Sequence, residues 1–493
     1  MNSQPIIKRG LESRRSMLKM AGGCAALTNT SLLSTILNLS ATNAAVAQSG
    51  NLTDYKAIVC LFLFGGNDSF NMITPTSGSD TSGERKNYLD SRGGVYAAGN
   101  GALGLAASQL HTINDPSGRT FGLHPELGDL KTLYDAGKLT FVCNVGSLVE
   151  PTTRAQYNTA ASLPLGLFSH SDLQRHWMTS VPQTRSQVTG WAGRMADLLT
   201  NQTNNNDSVS MNIALDSVNM MQTGSGVVPY VIRSNGAQEV SWYSKNPTWY
   251  YPRMFSQLTD DVLSRSYGNL LERTFAEQNR TALDAAIGFN QATSSITTFD
   301  NLFANVSGDN DGNRLRGNFK MIAKSIAARD TIDQKRQVFF VGLGGFDNHD
   351  ELILNQTSTM ARVNSALSDF QAAMDLIGMT DNVLTFTASD FARTLNSNGR
   401  GSDHAWGGNQ IVMGGPVNGN RIHGQYPMNL ANVEDGLDLG RGRLIPTTSV
   451  DEMAAEIAMW YGIDNDTNLE QVLPNIRNFH AANAGAHPIG MLS

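Results

Sequence analysis

The chain has 493 residues, with 36 Lys and Arg against 43 Asp and Glu, a formal charge of −7 and 40% hydrophobic residues. That acidic balance argues against a phosphate-backbone partner, so no nucleic acid is expected. Past the first fifty residues no apolar run approaches the ~18 residues that a membrane span needs, so no transmembrane segment is expected in the mature chain.

The first fifty residues divide into three parts. Residues 2–19 are polar and basic and contain Ser13-Arg14-Arg15-Ser16-Met17-Leu18-Lys19; residues 20–39 are weakly apolar, with Gly22 and Gly23; Ala45-Val46-Ala47 then precedes Gln48. A basic stretch, a modest apolar stretch and a small-x-small site make a cleavable signal rather than a helix with a stable apolar face. The arginine pair resembles the twin-arginine class, which a receptor reads as an address. Residues 1–47 are therefore expected to leave, with the twin-arginine translocase and a signal peptidase as partners. Residues 48–493 are expected to act as a single domain in the periplasm or outside the cell. Cys24 is not expected to carry a lipid, because Ala21 stands where a bulky aliphatic residue normally precedes an acylated cysteine. Proteins with such signals are generally exported folded, often after a metal has been inserted.

Four apolar, β-prone runs follow, each stopping abruptly at small or polar residues. They are 57–64 before Gly65-Gly66-Asn67-Asp68, 139–145 before Gly146-Ser147, 338–341 leading into Gly344-Gly345-Phe346-Asp347-Asn348-His349-Asp350, and 383–387 before Ala388-Ser389-Asp390. Near-continuous apolar runs suit strands covered on both faces, as in a parallel sheet between helices. Between them, 125–136 predicts a helix burying Leu127, Leu130, Leu133 and Tyr134, with Pro125 in its first turn and Gly137 at its stop. Residues 91–108 read as a loop. Residues 255–330 read as mostly helical, interrupted at 307–312. Ser449-Val450-Asp451-Glu452 is a capping box opening a helix through Tyr461, with Met453, Ile457 and Trp460 as its buried stripe. Cys60 and Cys143, each inside an apolar run, read as buried thiols rather than a disulfide. The predicted fold is α/β: a central, mostly parallel sheet with helices on both faces and loop insertions.

In such a sheet the carboxyl ends of the strands share one edge, where ligands bind. Asp68, Asp347, His349 and Asp390 all follow strand ends, and several carboxylates in one crevice repel one another unless a cation or proton compensates. Asp403-His404 adds an imidazole within a glycine-rich stretch. A mixed nitrogen and oxygen set suits a divalent metal ion, with zinc, manganese or iron favoured over calcium. Ser169 is the candidate nucleophile, at an expected helix start that attracts anions, and His170 the candidate for proton transfer. Asp309-Asn310-Asp311-Gly312-Asn313 reads as a turn, since its glycine falls at the wrong position for a calcium loop. Walker, H-E-x-x-H and G-x-S-x-G motifs are absent. A dinucleotide is disfavoured because Asp68 stands where its phosphate would sit.

Taken in order, Leu63-Phe64-Gly65-Gly66-Asn67-Asp68, Gly122-Leu123-His124-Pro125, Ser169-His170-Ser171-Asp172-Leu173-Gln174, Gly190-Trp191-Ala192-Gly193-Arg194, Gly345-Phe346-Asp347-Asn348-His349, Ser389-Asp390-Phe391-Ala392-Arg393 and Gly401-Ser402-Asp403-His404 resemble the exported bacterial family called domain of unknown function 1501. The likeness runs from about residue 54 to about 465. That family is similar in turn to the alkaline phosphatase and sulfatase superfamily. The resemblance implies metal-dependent hydrolysis of small anionic phosphate or sulfate esters, with Ser169 where the superfamily places its nucleophile. It also implies Asp68, Asp347, His349, Asp390 and His404 as metal ligands. Phe391 stands where the superfamily has an imidazole, the Asp347–His349 spacing is shorter than usual, and the sulfatase C-x-P-x-R motif is missing. The alternative is a non-catalytic exported protein that keeps the fold for binding or assembly.

Overall fold

The run Lys56–Leu63 is strand β1 and lies at the centre of the architecture; every residue in it but Lys56 is buried. The computed structural model describes residues 52–493 except 160–161, 204–208, 246, 305–310, 432–435 and 484–485. The arginine pair, Cys24, the small-x-small site and part of the expected break at 307–312 lie outside the described residues.

The strands after β1 are β2 (Ile73–Pro75), β3 (His111–Asn114), β4 (Thr120–Leu123), β5 (Leu139–Gly146), β6 (Asn212–Leu215), β7 (Tyr230–Arg233), β8 (Gly236–Ala237), β9 (Arg336–Leu343), β10 (Val383–Ser389), β11 (Gly408–Gly414), β12 (Ile422–Gly424) and β13 (Thr448–Ser449). The helices up to the sheet's middle are α1 (Ser69–Met72), α2 (Gly83–Ser91), α3 (Gly128–Asp135), α4 (Arg154–Thr159), α5 (His170–Thr179) and α6 (Trp191–Thr203). Then come α7 (Tyr250–Leu263), α8 (Leu270–Ser294), α9 (Asp311–Ala327), α10 (Leu352–Leu376), α11 (Val450–Tyr461) and α12 (Asp466–Val472).

The large sheet has the order β12-β5-β11-β10-β1-β9-β6-β7-β8, with β13 also paired to β5. β1 is parallel to both β10 and β9, and β9 is parallel to β6. β11 is antiparallel to its neighbours β10 and β5, which restores β5 to the direction of β1. The four apolar runs read from the sequence thus point the same way. β2, β4 and β3 make a small antiparallel sheet at the side.

Alternation within the continuous apolar runs divides them between two cores, because successive side chains point to opposite faces. Val59, Leu61 and Leu63 join one core with α3, α9 and α10; Ile58, Cys60 and Phe62 join the other with α6 and α11. Both faces are therefore covered by helices, as the patterning predicts. Cys60 and Cys143 lie in opposite cores as buried free thiols, so the expected absence of a disulfide follows from geometry. Burial pushes both thiols well above the usual value, which leaves them inert.

Some boundaries differ from expectation. The helix expected from Pro125 begins at Gly128, because residues 125–127 close a turn in which the Leu127 N–H donates to the His124 carbonyl. Asp311-Gly312-Asn313, read as a turn, opens α9 instead. Helix α11 forms with both halves of its capping box made, but Trp460 is only partly buried and lies under the Lys56 ammonium.

Candidate metal centre

Four sequence-distant segments meet at the carboxyl edge of the sheet. The β9 turn delivers Asp347 and His349, the end of β10 delivers Asp390, α5 opens with His170, and the segment before β11 delivers His404. Gly65 makes the approach feasible: at φ +116 it packs so tightly on the next turn that a Cβ would lie 2.4 Å from the Asp347 nitrogen. Only glycine tolerates both conditions.

His170, Asp347 and His404 place one ligand atom each within 4.8 Å of one another. Around Asp347, His349 Nε2 lies 3.0 Å and His404 Nε2 3.5 Å from Oδ1, and His170 Nε2 lies 3.4 Å from Oδ2. Each ring is held from behind through its other nitrogen. His170 Nδ1 is 2.7 Å from Asp390 Oδ2, His349 Nδ1 is 3.1 Å from Asp403 Oδ1, and His404 Nδ1 is 2.7 Å from the Phe168 carbonyl oxygen. Those partners only accept hydrogen bonds, so each Nδ1 carries a proton and, in the neutral ring, each Nε2 presents the lone pair. His349 Nε2 and His404 Nε2 are 3.0 Å apart. Two bare lone pairs at that distance repel unless a proton or a cation lies between them. Two oriented imidazoles, His170 and His404, and the Asp347 carboxylate fit a divalent cation of the zinc, manganese or iron kind, with His349 beside Asp347 and His404.

The outer groups hold this set rigidly. Asp390 is fully buried and also accepts from Gln174 Nε2 at 2.9 Å. Arg441 Nη2 lies 2.6 Å from the second oxygen of Asp403. Arg393, itself fully buried, donates to Asp347 Oδ1 at 2.7 Å and to the Gly65 carbonyl at 3.2 Å, and it also grips the Ser402 carbonyl. Partial burial works to raise the Asp347 carboxyl. The Arg393 hydrogen bond and charge, with His170 and His349, outweigh it and hold the group below the usual carboxylate value. Burial lowers His404 against the hydrogen bond to the Phe168 carbonyl, with Arg393 adding to the burial, a direction that favours the neutral ring a ligand needs. Phe391 packs 4.8 Å from the His170 ring and 4.5 Å from the His404 ring, and it lies against Gly66, where a Cβ would meet it at 2.3 Å.

The sequence-predicted residues thus divide. Asp347, His349 and His404 come together as expected, and His170, expected to move protons, joins them with its Nε2. Asp390 reaches the centre only through His170. Asp68 is not brought into the group: it is buried, and its Oδ1 lies 2.5 Å from Arg92 Nη2. Arg92 comes from the stretch read as a loop, is fully buried, and is anchored to the Thr394 and Leu395 carbonyls. Ser169 precedes α5 at its N-cap position but makes no cap bond; its hydroxyl lies 3.2 Å from that of Ser171. Arg393 stood in the motifs quoted above without being singled out, and Asp403 was named only beside His404. Nothing local in the sequence marked Arg92.

The family model described as "Protein of unknown function (DUF1501)" matches residues 55–474. No curated protein matches the chain. Among solved structures, the lipoteichoic acid synthase LtaP from Listeria monocytogenes aligns at 8% identity and a TM-score of 0.30, covering 82% of this chain and 79% of that one. Ps i-CgsB in complex with k-i-k-neocarrahexaose aligns at 10% identity and 0.31, covering 86% and 77%. The alkaline phosphatase from the Antarctic bacterium TAB5 aligns at 12% identity and 0.24, covering 74% and 93%.

Proposed function

The chain belongs to the DUF1501 family, whose function is unknown, and we propose from the chemistry of its centre that it is an exported, metal-dependent hydrolase of phosphate or sulfate esters. The observation that carries this reading is the set of three imidazoles turned with their Nε2 atoms toward Asp347. His170, Asp347 and His404 would hold one divalent ion, with His349 beside them. When bound, it would polarise the ester and lower the pKa of a nucleophile beside it.

The chain's own residues supply the rest. Asp390, Asp403 and the Phe168 carbonyl keep the three rings in one tautomer. Arg393 stabilises the ionised Asp347. The first N–H groups of α5 favour an anionic substrate group near Ser169, whose hydroxyl is free of a capping bond and serves as the nucleophile. Delivery outside the cytoplasm follows from the twin-arginine leader and its small-x-small site, read by the translocase and a signal peptidase.

The Arg92–Asp68 pair and Phe391 beside Asp390 favour one metal over two, since they take a carboxylate and an imidazole out of any second set. They also support the alternative, a non-catalytic binding protein. Elemental analysis and turnover of an aryl phosphate and an aryl sulfate by the purified mature chain separate the readings. The hydrolase holds about one metal per chain, loses metal and turnover in His404→Ala, and loses turnover alone in Ser169→Ala. Metal without turnover establishes the binding protein. Neither metal nor any effect of His404→Ala removes the centre altogether.

A further inference from the structure

Among the described residues, the segment 240–275 turns an apolar face outward on a scale unlike the others. Within α7 only Ser256 is buried, and α8 buries nothing before Ala276. Tyr251, Phe255, Leu258 and Val262 recur at helical spacing along one side of α7, with exposures of 63%, 37%, 56% and 46%. Trp242, in the segment before α7 and 6.3 Å from the Tyr251 ring, Trp249 and Tyr250 at the start of the helix, and Leu270, Leu271 and Phe275 on α8 are each 63% exposed or more. The attachment of this arm is polar: Asp260 accepts from Tyr243 at 2.8 Å and from Arg280 at 2.7 Å, and Lys245 pairs with Asp284 at 2.9 Å. An amphipathic helix held by its polar side, with its apolar stripe in water, is half of an interface.

With aromatic side chains burying ~150–250 Å² each, the exposed fractions leave roughly 1,200 Å² of apolar surface open on the arm. The largest patch on an ordinary monomer is about 300–600 Å², and a stable dimer needs about 800 Å² from each partner. A membrane surface would ask for a lysine- and arginine-rich polar face. α7 carries instead one Arg against two Asp, on a chain of net negative charge.

We propose that the α7–α8 arm is the dimerisation element of this protein, pairing with the same arm of a second copy across a twofold axis. Identical apolar stripes packed face to face close such an interface without leaving an open end. Sedimentation of the purified mature chain over a range of concentrations tests this. The expected mass is twice that of one chain. Leu258→Asp weakens association by about tenfold or more, whereas Leu354→Asp, which charges an exposed leucine on α10, leaves it unchanged. Leu258→Cys, in a mature chain whose own Cys60 and Cys143 are buried, cross-links to a second copy on oxidation. A monomer at every concentration overturns the proposal. So does binding to phospholipid vesicles that Leu258→Asp abolishes, which would assign the face to a membrane.

Discussion

His170 shows how far a residue's role depends on its second nitrogen. From sequence it reads as a proton carrier beside a serine; in the folded chain its Nδ1 is bound to Asp390 and its Nε2 faces Asp347. Groups behind a ligand commonly set metal affinity by about 10–100-fold. Asp390→Asn is therefore expected to weaken metal binding by about that factor while leaving the fold intact, as calorimetric titration with zinc would show. Unchanged affinity would mean that Asp390 does not orient the ring. Asp68 yields a different prediction. Its pairing with Arg92 is fully buried, so Arg92→Ala leaves a lone buried carboxylate and costs about 3–5 kcal/mol in denaturant unfolding. Joint replacement by Arg92→Met and Asp68→Asn recovers most of that loss. If the double variant is no better than the single, the pair is not what keeps Asp68 out of the centre.

Two elements transmit backbone geometry to the site. The turn after β1 needs glycine at 66, where φ is +87 and the Phe391 ring occupies the place of a Cβ. Gly66→Ala is expected to destabilise the chain by about 1–3 kcal/mol. It should also lower metal affinity, because Phe391 packs on His170 and His404. Retention of both stability and affinity would refute the coupling. Helix α11, by contrast, acts through ordinary capping: the Ser449 hydroxyl accepts from the Glu452 N–H at 3.0 Å, and Glu452 Oε2 accepts from the Ser449 N–H at 2.7 Å. Ser449→Ala should cost about 1 kcal/mol in thermal or denaturant unfolding, with no change in metal content.

For the whole molecule, buried ionisable groups set the response to acid. Burial depresses His124 and His176 from 6.5 to about 4, and both are almost wholly enclosed. The unfolded chain takes up their protons first, so their contribution to stability is complete above pH 6.5 and is lost as the pH falls toward 4. Each is worth on the order of 2 kcal/mol between pH 7 and pH 5. Burial raises Asp451 from 3.8 to about 7 despite the nearby Arg194, and its sign is opposite: it favours the fold below pH 3.8 and loses that effect as the pH rises to 7. His176→Leu should therefore flatten the acid limb of a stability profile, and Asp451→Asn should steepen it by raising stability at neutral pH. A profile unchanged in both variants would mean that neither group titrates as its burial requires.

Much of this fold was readable along the chain because it rests on local rules. Continuous apolar runs ending at glycine or polar residues identified four parallel strands, and their common direction placed Asp68, Asp347, His349 and Asp390 at one edge, although Asp68 there pairs with Arg92. A capping box marked α11, and two cysteines inside apolar runs read correctly as buried thiols. What sequence could not decide is which atom faces which. The Arg92–Asp68 pair spans residues that share no local pattern, and the tautomers of three histidines depend on acceptors from three other segments. The exposure of the α7 stripe likewise depends on which side of that helix the Asp260 bonds turn inward. Helical spacing reveals an apolar face, but only packing determines whether that face is covered.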